Sequence, residues 1–253
     1  MATLEQALGQ LFLLSFVGKQ EPPDDFRKLL AGQHVAGVEL FRPTNFGTLA
    51  EVRGLTDALQ QLAADSGQPP LLICANQEGG QFIGIGESTP FPGNMALGAT
   101  GSTELAERVG AAIGRELAAL GINVNFAPVV DVNNNAQNPV IGTRSFGDDP
   151  RLVARMGAAQ IRGMRSAGIA ATAKHFPGHG DTTSDSHVNL PLLDHGLDRL
   201  QQIELPPFKA AIKAGAPIVM VGHLALPKLT GVANLPATLS SNVVRGLLRR
   251  RLR

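Results

Sequence analysis

The segment Lys174–His187, KHFPGHGDTTSDSH, is the densest run of reactive side chains in the chain. It holds His175, His179, Asp181, Asp185 and His187 among Gly, Ser and Thr. A structural histidine is usually a single residue on an apolar face, so this composition is poor material for a core. Two chemistries fit it. One is a metal site, because His and Asp ligate zinc or manganese; its candidates are His175, His179, Asp181 and His187. His175 and His179 are four apart, but Pro177 and Gly178 break any helix that would align them. The other is acid/base catalysis. Asp185 and His187 flank Ser186, so in extended chain their side chains point the same way. A carboxylate bonded to an imidazole fixes its tautomer and favours the protonated form, which makes His187 a proton donor to a leaving group.

Other polar groups follow apolar runs directly. Asn76, Gln77 and Glu78 come after Leu71–Ala75, and Asp131 and Asn133 after Val124–Val130. Lys174 and His175 come after Ile169–Ala173, and His223 after Pro217–Gly222. The β-branched runs predict strands at Leu11–Phe16, Gly37–Phe41, Leu71–Ala75, Ile122–Val132, Ile169–Ala173 and Pro217–Val221. Between them, apolar spacings of three and four predict helices at Leu49–Ala64, Glu104–Leu120 and Arg151–Ala167, the second capped by Ser102 or Thr103. Gly121, Gly168 and Gly215 stand where a left-handed turn would end a helix. Alternating strands and helices predict a parallel sheet covered by helices. In a (β/α)₈ barrel the carboxyl ends of all strands meet on one face, so these polar groups would ring one pocket. The Ile83–Gly86 stretch lacks G-x-G-x-x-G spacing, which argues against a dinucleotide-binding sheet.

Composition narrows the partners. Lys plus Arg number 22 and Asp plus Glu 21 among 253 residues, for a net charge of +1, so no global basic field points to nucleic acid. Trp and Tyr are absent, which removes the usual long stacking platform, although 11 Phe remain. One Cys rules out a disulfide framework, and Cys74 inside an apolar run reads as a small core residue. Leu11–Val17 follows Glu5 rather than a basic stretch, so no signal peptide is expected. No stretch reaches the roughly 20 apolar residues of a membrane span. The expectation is a soluble, cytoplasmic protein of one domain over residues 1–253, with no membrane or nucleic-acid partner.

The motif set resembles the family 3 glycoside hydrolases, specifically bacterial β-N-acetylglucosaminidases of cell-wall recycling. The resemblance rests on KHFPGHGDTTSDSH together with Gly9–Phe12, Gly37–Phe41, Gln77–Gly80, Phe91-Pro92 and Gly121–Val132. It continues through Gly142–Gly147, Pro207-Phe208, Val219–Val221 with His223, and Pro236–Ser240, in the family's order from end to end. It implies a (β/α)₈ TIM-type barrel and a retaining hydrolase that needs no metal or cofactor. The substrate implied is a small carbohydrate with a terminal β-linked N-acetylglucosamine, typically a muropeptide fragment. His187 is implied as acid/base, supported by Asp185. Lys174, His175, Arg144, Asn76 and His223 are implied as sugar-binding residues, and Asp131 is placed with them in a supporting role.

The chain also departs from the family pattern. Asn76 stands where an Asp is usual, and Gln81 where an Arg is usual. The family's nucleophile is an Asp on the strand after the Pro-Ala-Thr-Leu-Ser helix. Here that helix is expected over Ser240–Arg253, amphipathic through Val243, Val244, Leu247, Leu248 and Leu252. Six strand candidates against eight predict an incomplete barrel, short by roughly 60 residues at about 30 per βα unit. Turnover is then expected to require a further C-terminal segment as partner. A non-catalytic sugar-binding remnant remains the alternative.

Overall fold

A computed structural model describes residues 3–252; Met1, Ala2 and Arg253, included in the expected 1–253 domain and terminal helix, lie outside the described residues. In chain order the elements are α1 (Leu4–Gly9), β1 (Leu13–Leu14), α2 (Asp24–Gln33), β2 (Gly37–Leu40), α3 (Leu49–Asp65), β3 (Leu72–Ala75), β4 (Gln77–Gly79) and β5 (Phe82–Ile83). They continue with α4 (Asn94–Thr100), α5 (Thr103–Ala119), β6 (Val124–Asn125), α6 (Pro150–Ser166), β7 (Ala170–Phe176), α7 (Leu197–Gln202), α8 (Leu205–Lys213), β8 (Ile218–Val221) and α9 (Pro227–Thr230). Six strands form one parallel sheet in the order β1-β2-β3-β6-β7-β8, and β4 and β5 form a separate antiparallel hairpin. This is the α/β half-barrel expected, with β1 and β8 as its edges.

Alternation along each strand makes two apolar layers. Val38, Leu40, Ile73, Ala75, Ala171 and Ala173 face the helices and join the main core. Cys74, Val124 and Phe126 pack with Ala170, Ile218 and Met220 in a smaller cluster on the inner face. Cys74 is fully buried there, and burial pushes its thiol up to about 12, so it is inert packing. The helices cap as their sequences dictate. The Thr48 hydroxyl accepts from the Glu51 N–H while Glu51 returns a bond to the Thr48 N–H, and Ser102 accepts from Leu105. Gly121, Gly168 and Gly215 take φ of +74°, +81° and +89° at the helix-to-strand turns. Helices α5 and α6 approach closely because Gly110 lies on the Gln160 carbonyl and Gly163 on that of Glu107, leaving no room for a Cβ at either site.

Three expectations are corrected. Leu11–Phe16 pairs only over Leu13–Leu14, and Leu11 and Phe12 are exposed. Ile122–Val132 is a strand only at Val124–Asn125, because Pro128 offers no N–H to the ladder; the rest follows β7 through single bonds such as Val130 N–H to the Lys174 carbonyl at 2.8 Å. Ile169–Ala173 instead runs on to Phe176, so Lys174 and His175 lie within the strand rather than after it. Helices α1, α2, α4, α7, α8 and α9 were not anticipated. The C-terminal segment Asn242–Arg251 winds with the wide turn of a π-helix; its buried residues Val243 and Leu247, with the capping Leu252, fall at spacings of four and five that suit this wider turn. Among the described residues, no helix is long and apolar enough to cross a membrane.

Candidate active site

The carboxyl ends of β2, β3 and β7 bring Glu39, Asn76, Glu78 and Lys174 together on the inner side. Lys174 is buried, and its Nζ lies 2.7 Å from Glu78 Oε1 and 2.9 Å from Asn76 Oδ1. Asn76 Nδ2 in turn donates to Glu39 Oε1 at 2.9 Å. Arg144 reaches in from a short 3₁₀ turn, Gly142–Arg144, and forks onto Glu78 through Nε at 2.9 Å and Nη2 at 2.8 Å. Its guanidinium lies 4.3 Å from the ring centroid of Phe82 on β5, which gives it a π face as well as an anion. The hairpin is thus the wall that holds Arg144 in place. Gly80 turns it at φ +60°, against the Cα of Gly93.

Charge balance explains how these ions survive burial. Burial alone would raise Glu78, but Lys174 and the forked Arg144 pull its carboxyl down to about 2. Burial lowers Lys174, with Glu78 opposing the shift. Burial also disfavours the Arg144 charge, yet Glu78 raises its pKa above the ordinary value, with smaller contributions from Asp131 and Asp185. Glu39 behaves oppositely: burial raises its pKa, and the Asn76 amide and Lys174 only partly offset this.

A second unit lies beside the first. Asp131 is fully buried and accepts from His175 Nδ1 at 2.8 Å, from the His175 N–H at 3.1 Å and from the His179 N–H at 2.7 Å. Against the burial that would raise it, His175 and His179 hold the carboxyl below its ordinary value. Burial lowers His175, so its imidazole is neutral, and the ionised Asp131 fixes the proton on Nδ1. Nε2 is left as a bare acceptor for a hydroxyl. Asp131 is therefore a support for His175 rather than a ligand contact.

Asp185 and His187 meet, but not through the extended chain expected: residues 186–188 form a turn, and the turn brings the two side chains together. His187 Nδ1 lies 2.8 Å from Asp185 Oδ1, which also accepts the His187 backbone N–H at 2.9 Å. Those two bonds, backbone first, hold the Asp185 carboxyl below its usual range. The His187 side chain is 83% exposed on its loop. His223 stays outside the buried network and bonds Thr238 Oγ1 at 3.0 Å. The four groups of the metal alternative go to separate partners: His175 to Asp131, His179 to Thr182, Asp181 to His195 and His187 to Asp185. Among the described residues, no three His, Cys, Asp or Glu converge on a metal position, so that alternative loses its geometry. Glu78 is one of the polar groups expected around the pocket, but no role follows for it from sequence, and Glu39 is not among the site residues expected. The signal for Glu39 is its position one residue before the carboxyl end of β2, and for Glu78 its position three residues past that of β3.

A parallel half-barrel with its charged groups at the carboxyl ends of the strands is the layout of a barrel enzyme. Residues 3–253 match the glycosyl hydrolase family 3 N terminal domain, and the chain belongs to that family. It is 40% identical to the β-hexosaminidase A of Pseudoalteromonas piscicida, covering 99% of this chain and 47% of that protein. It is 39% identical to a β-hexosaminidase of Stenotrophomonas maltophilia, covering 88% and 66%. In three dimensions it is similar to the family 3 β-N-acetylglucosaminidase of Paenibacillus sp. str. FPU-7, with a TM-score of 0.96, 51% identity, and coverage of 100% of this chain and 48% of that one. It is also similar to NagZ from Neisseria gonorrhoeae in complex with N-trifluoroacetyl-D-glucosamine, with a TM-score of 0.86, 30% identity, and coverage of 95% and 70%. The chain spans about half the length of the first curated relatives it matches.

Proposed function

We propose that this chain supplies the sugar-binding face and the proton-transfer loop of a β-N-acetylhexosaminidase that acts on terminal β-linked N-acetylglucosamine, as in muropeptide fragments. The observation that carries this reading is the Asp185–His187 contact of 2.8 Å on an exposed loop. A carboxylate on Nδ1 leaves Nε2 free to give a proton to a departing oxygen and later to take one from water. His175 Nε2, Asn76, Arg144 and Lys174 hold the sugar hydroxyls. The names of the matched β-hexosaminidases and the N-acetylglucosamine analogue bound by the gonococcal relative support this substrate class. A cytoplasmic place follows the same reading.

The mechanism we propose is retaining, with a nucleophile from sequence outside these residues. The carboxylates near the strand ends are already committed. Glu39 is bonded by the Asn76 amide, Glu78 is held by Lys174 and Arg144, Asp131 by His175 and His179, and, on the loop, Asp185 by His187. Azide can then stand in for the nucleophile: it forms the C1–N bond as the C1–O bond breaks, and His187 protonates the leaving oxygen. With an aryl N-acetyl-β-glucosaminide, phenol release should depend on azide and fall about 10²-fold or more in His187→Ala. Robust turnover without azide would show that a nucleophile is present in this chain. Release indifferent to His187→Ala would remove the acid/base role of His187, and no azide-dependent release at all would leave a sugar-binding protein.

A further inference from the structure

A second cluster of charged groups lies at the base of the loop that carries Asp185 and His187. Asp181 Oδ2 is 2.7 Å from His195 Nε2 and 3.5 Å from Arg199 Nη2, and Arg199 Nη2 is 3.1 Å from Glu204 Oε1. Glu204 is buried, and its Cγ fills the space beside Gly178, 2.7 Å from where a Cβ would stand. The cluster therefore touches the reactive segment twice, at Gly178 and at Asp181.

Asp181 and His195 bracket residues 182–194. On the Asp181 side the chain is anchored by the His179 N–H on Asp131 and by His179 Nδ1 at 2.7 Å from Thr182 Oγ1. On the His195 side the Leu193 N–H donates to the Ala225 carbonyl at 2.8 Å. Between these anchors, residues 187–190 are exposed. The local order there is one turn, with the Val188 and Asn189 N–H groups donating to the Asp185 carbonyl. A loop so lightly bonded takes its position from how its ends are held. Tying the ends together removes closure entropy that would otherwise oppose a single placement of the proton donor.

We propose that the Asp181–His195 pair, backed by Arg199 and Glu204, is a clasp that closes the neck of the 182–194 loop and positions Asp185 and His187. These are positioning residues. The consequence for catalysis rests on the acid/base reading of His187, but the clasp itself does not.

Hydrogen–deuterium exchange on the whole chain tests it, comparing wild type with His195→Leu and His195→Gln. The Gln amide can donate to Asp181 where the imidazole did, and Leu cannot. In His195→Leu the His187, Val188 and Asn189 amides should exchange about tenfold faster, while amides of β7 keep their protection. In His195→Gln most of that loss should be restored. Unchanged loop exchange in His195→Leu, acceleration spread evenly over the chain, or no restoration by Gln would each overturn the clasp. His187→Ala serves as the separate control. If it leaves azide-dependent aryl release intact while His195→Leu still loosens the loop, the acid/base reading fails and the clasp stands.

Discussion

Lys174 Nζ lies 2.7 Å from Glu78 Oε1 with both side chains 2% exposed, so the cation that would face a sugar is neutralised by a carboxylate just past the end of β3. Truncating one member of such a pair leaves the other charged and unsolvated. Glu78→Ala should cost about 3–5 kcal/mol, because Lys174 and Arg144 then share no anion. Urea unfolding at neutral pH measures this. A loss below about 1 kcal/mol would mean that water or another group already balances them.

The same carboxylate sets an acid limb. Its folded pKa, about 2, lies below its ordinary value of 4.5. A depressed folded pKa means that the folded state favours the ionised form. The stability it contributes is fully present above about 4.5 and is lost as pH falls towards about 2. In Glu78→Gln the unfolding free energy should fall less steeply across that window than in wild type.

Asn76 is the neutral bridge between Lys174 and Glu39. Asn76→Asp keeps an acceptor for Lys174 but replaces the amide donor to Glu39 with a second negative charge. Burial already raises the Glu39 pKa, and a carboxylate neighbour raises it further. The variant should be less stable than wild type at neutral pH and should recover on mild acidification, as Glu39 takes up a proton. A variant more stable than wild type at neutral pH would show that the added attraction to Lys174 outweighs the repulsion.

Asp185→Ala and His187→Ala should unfold within about 0.5 kcal/mol of wild type, since His187 is exposed and the pair is local. Asp131→Asn should behave differently. One amide oxygen cannot serve all three donors that the carboxylate now accepts, so the His175 tautomer is no longer fixed. Chemical shifts of the His175 ring nitrogens should then show a mixture of tautomers in place of Nδ1–H alone.

Much of this site was legible from residues because a parallel sheet puts polar groups where apolar runs stop. Asn76, Glu78, Lys174 and His175 stand out that way; Asp185 and His187 meet as expected, but through a turn rather than the period-two alternation of extended chain. Glu78 stands among those polar groups, but nothing in Gln77–Gly80 says that its side chain turns inward to meet Arg144 from a turn 66 residues away. That Asp131 supports His175 in particular follows from contacts that only folding creates. The strand read over Ile122–Val132 was too long because continuous apolarity does not report the missing N–H of Pro128. The short helices α1, α4, α7 and α9 carry too few turns for a 3.6-residue period to register.

The most direct test of the account is a calorimetric titration of the chain with N-acetylglucosamine, alongside His175→Ala and His187→Ala. Wild type should bind, His175→Ala should not, and His187→Ala should keep the binding, because the first residue holds the sugar and the second moves a proton. No heat from a well-folded wild-type chain, or undiminished binding by His175→Ala, would contradict it.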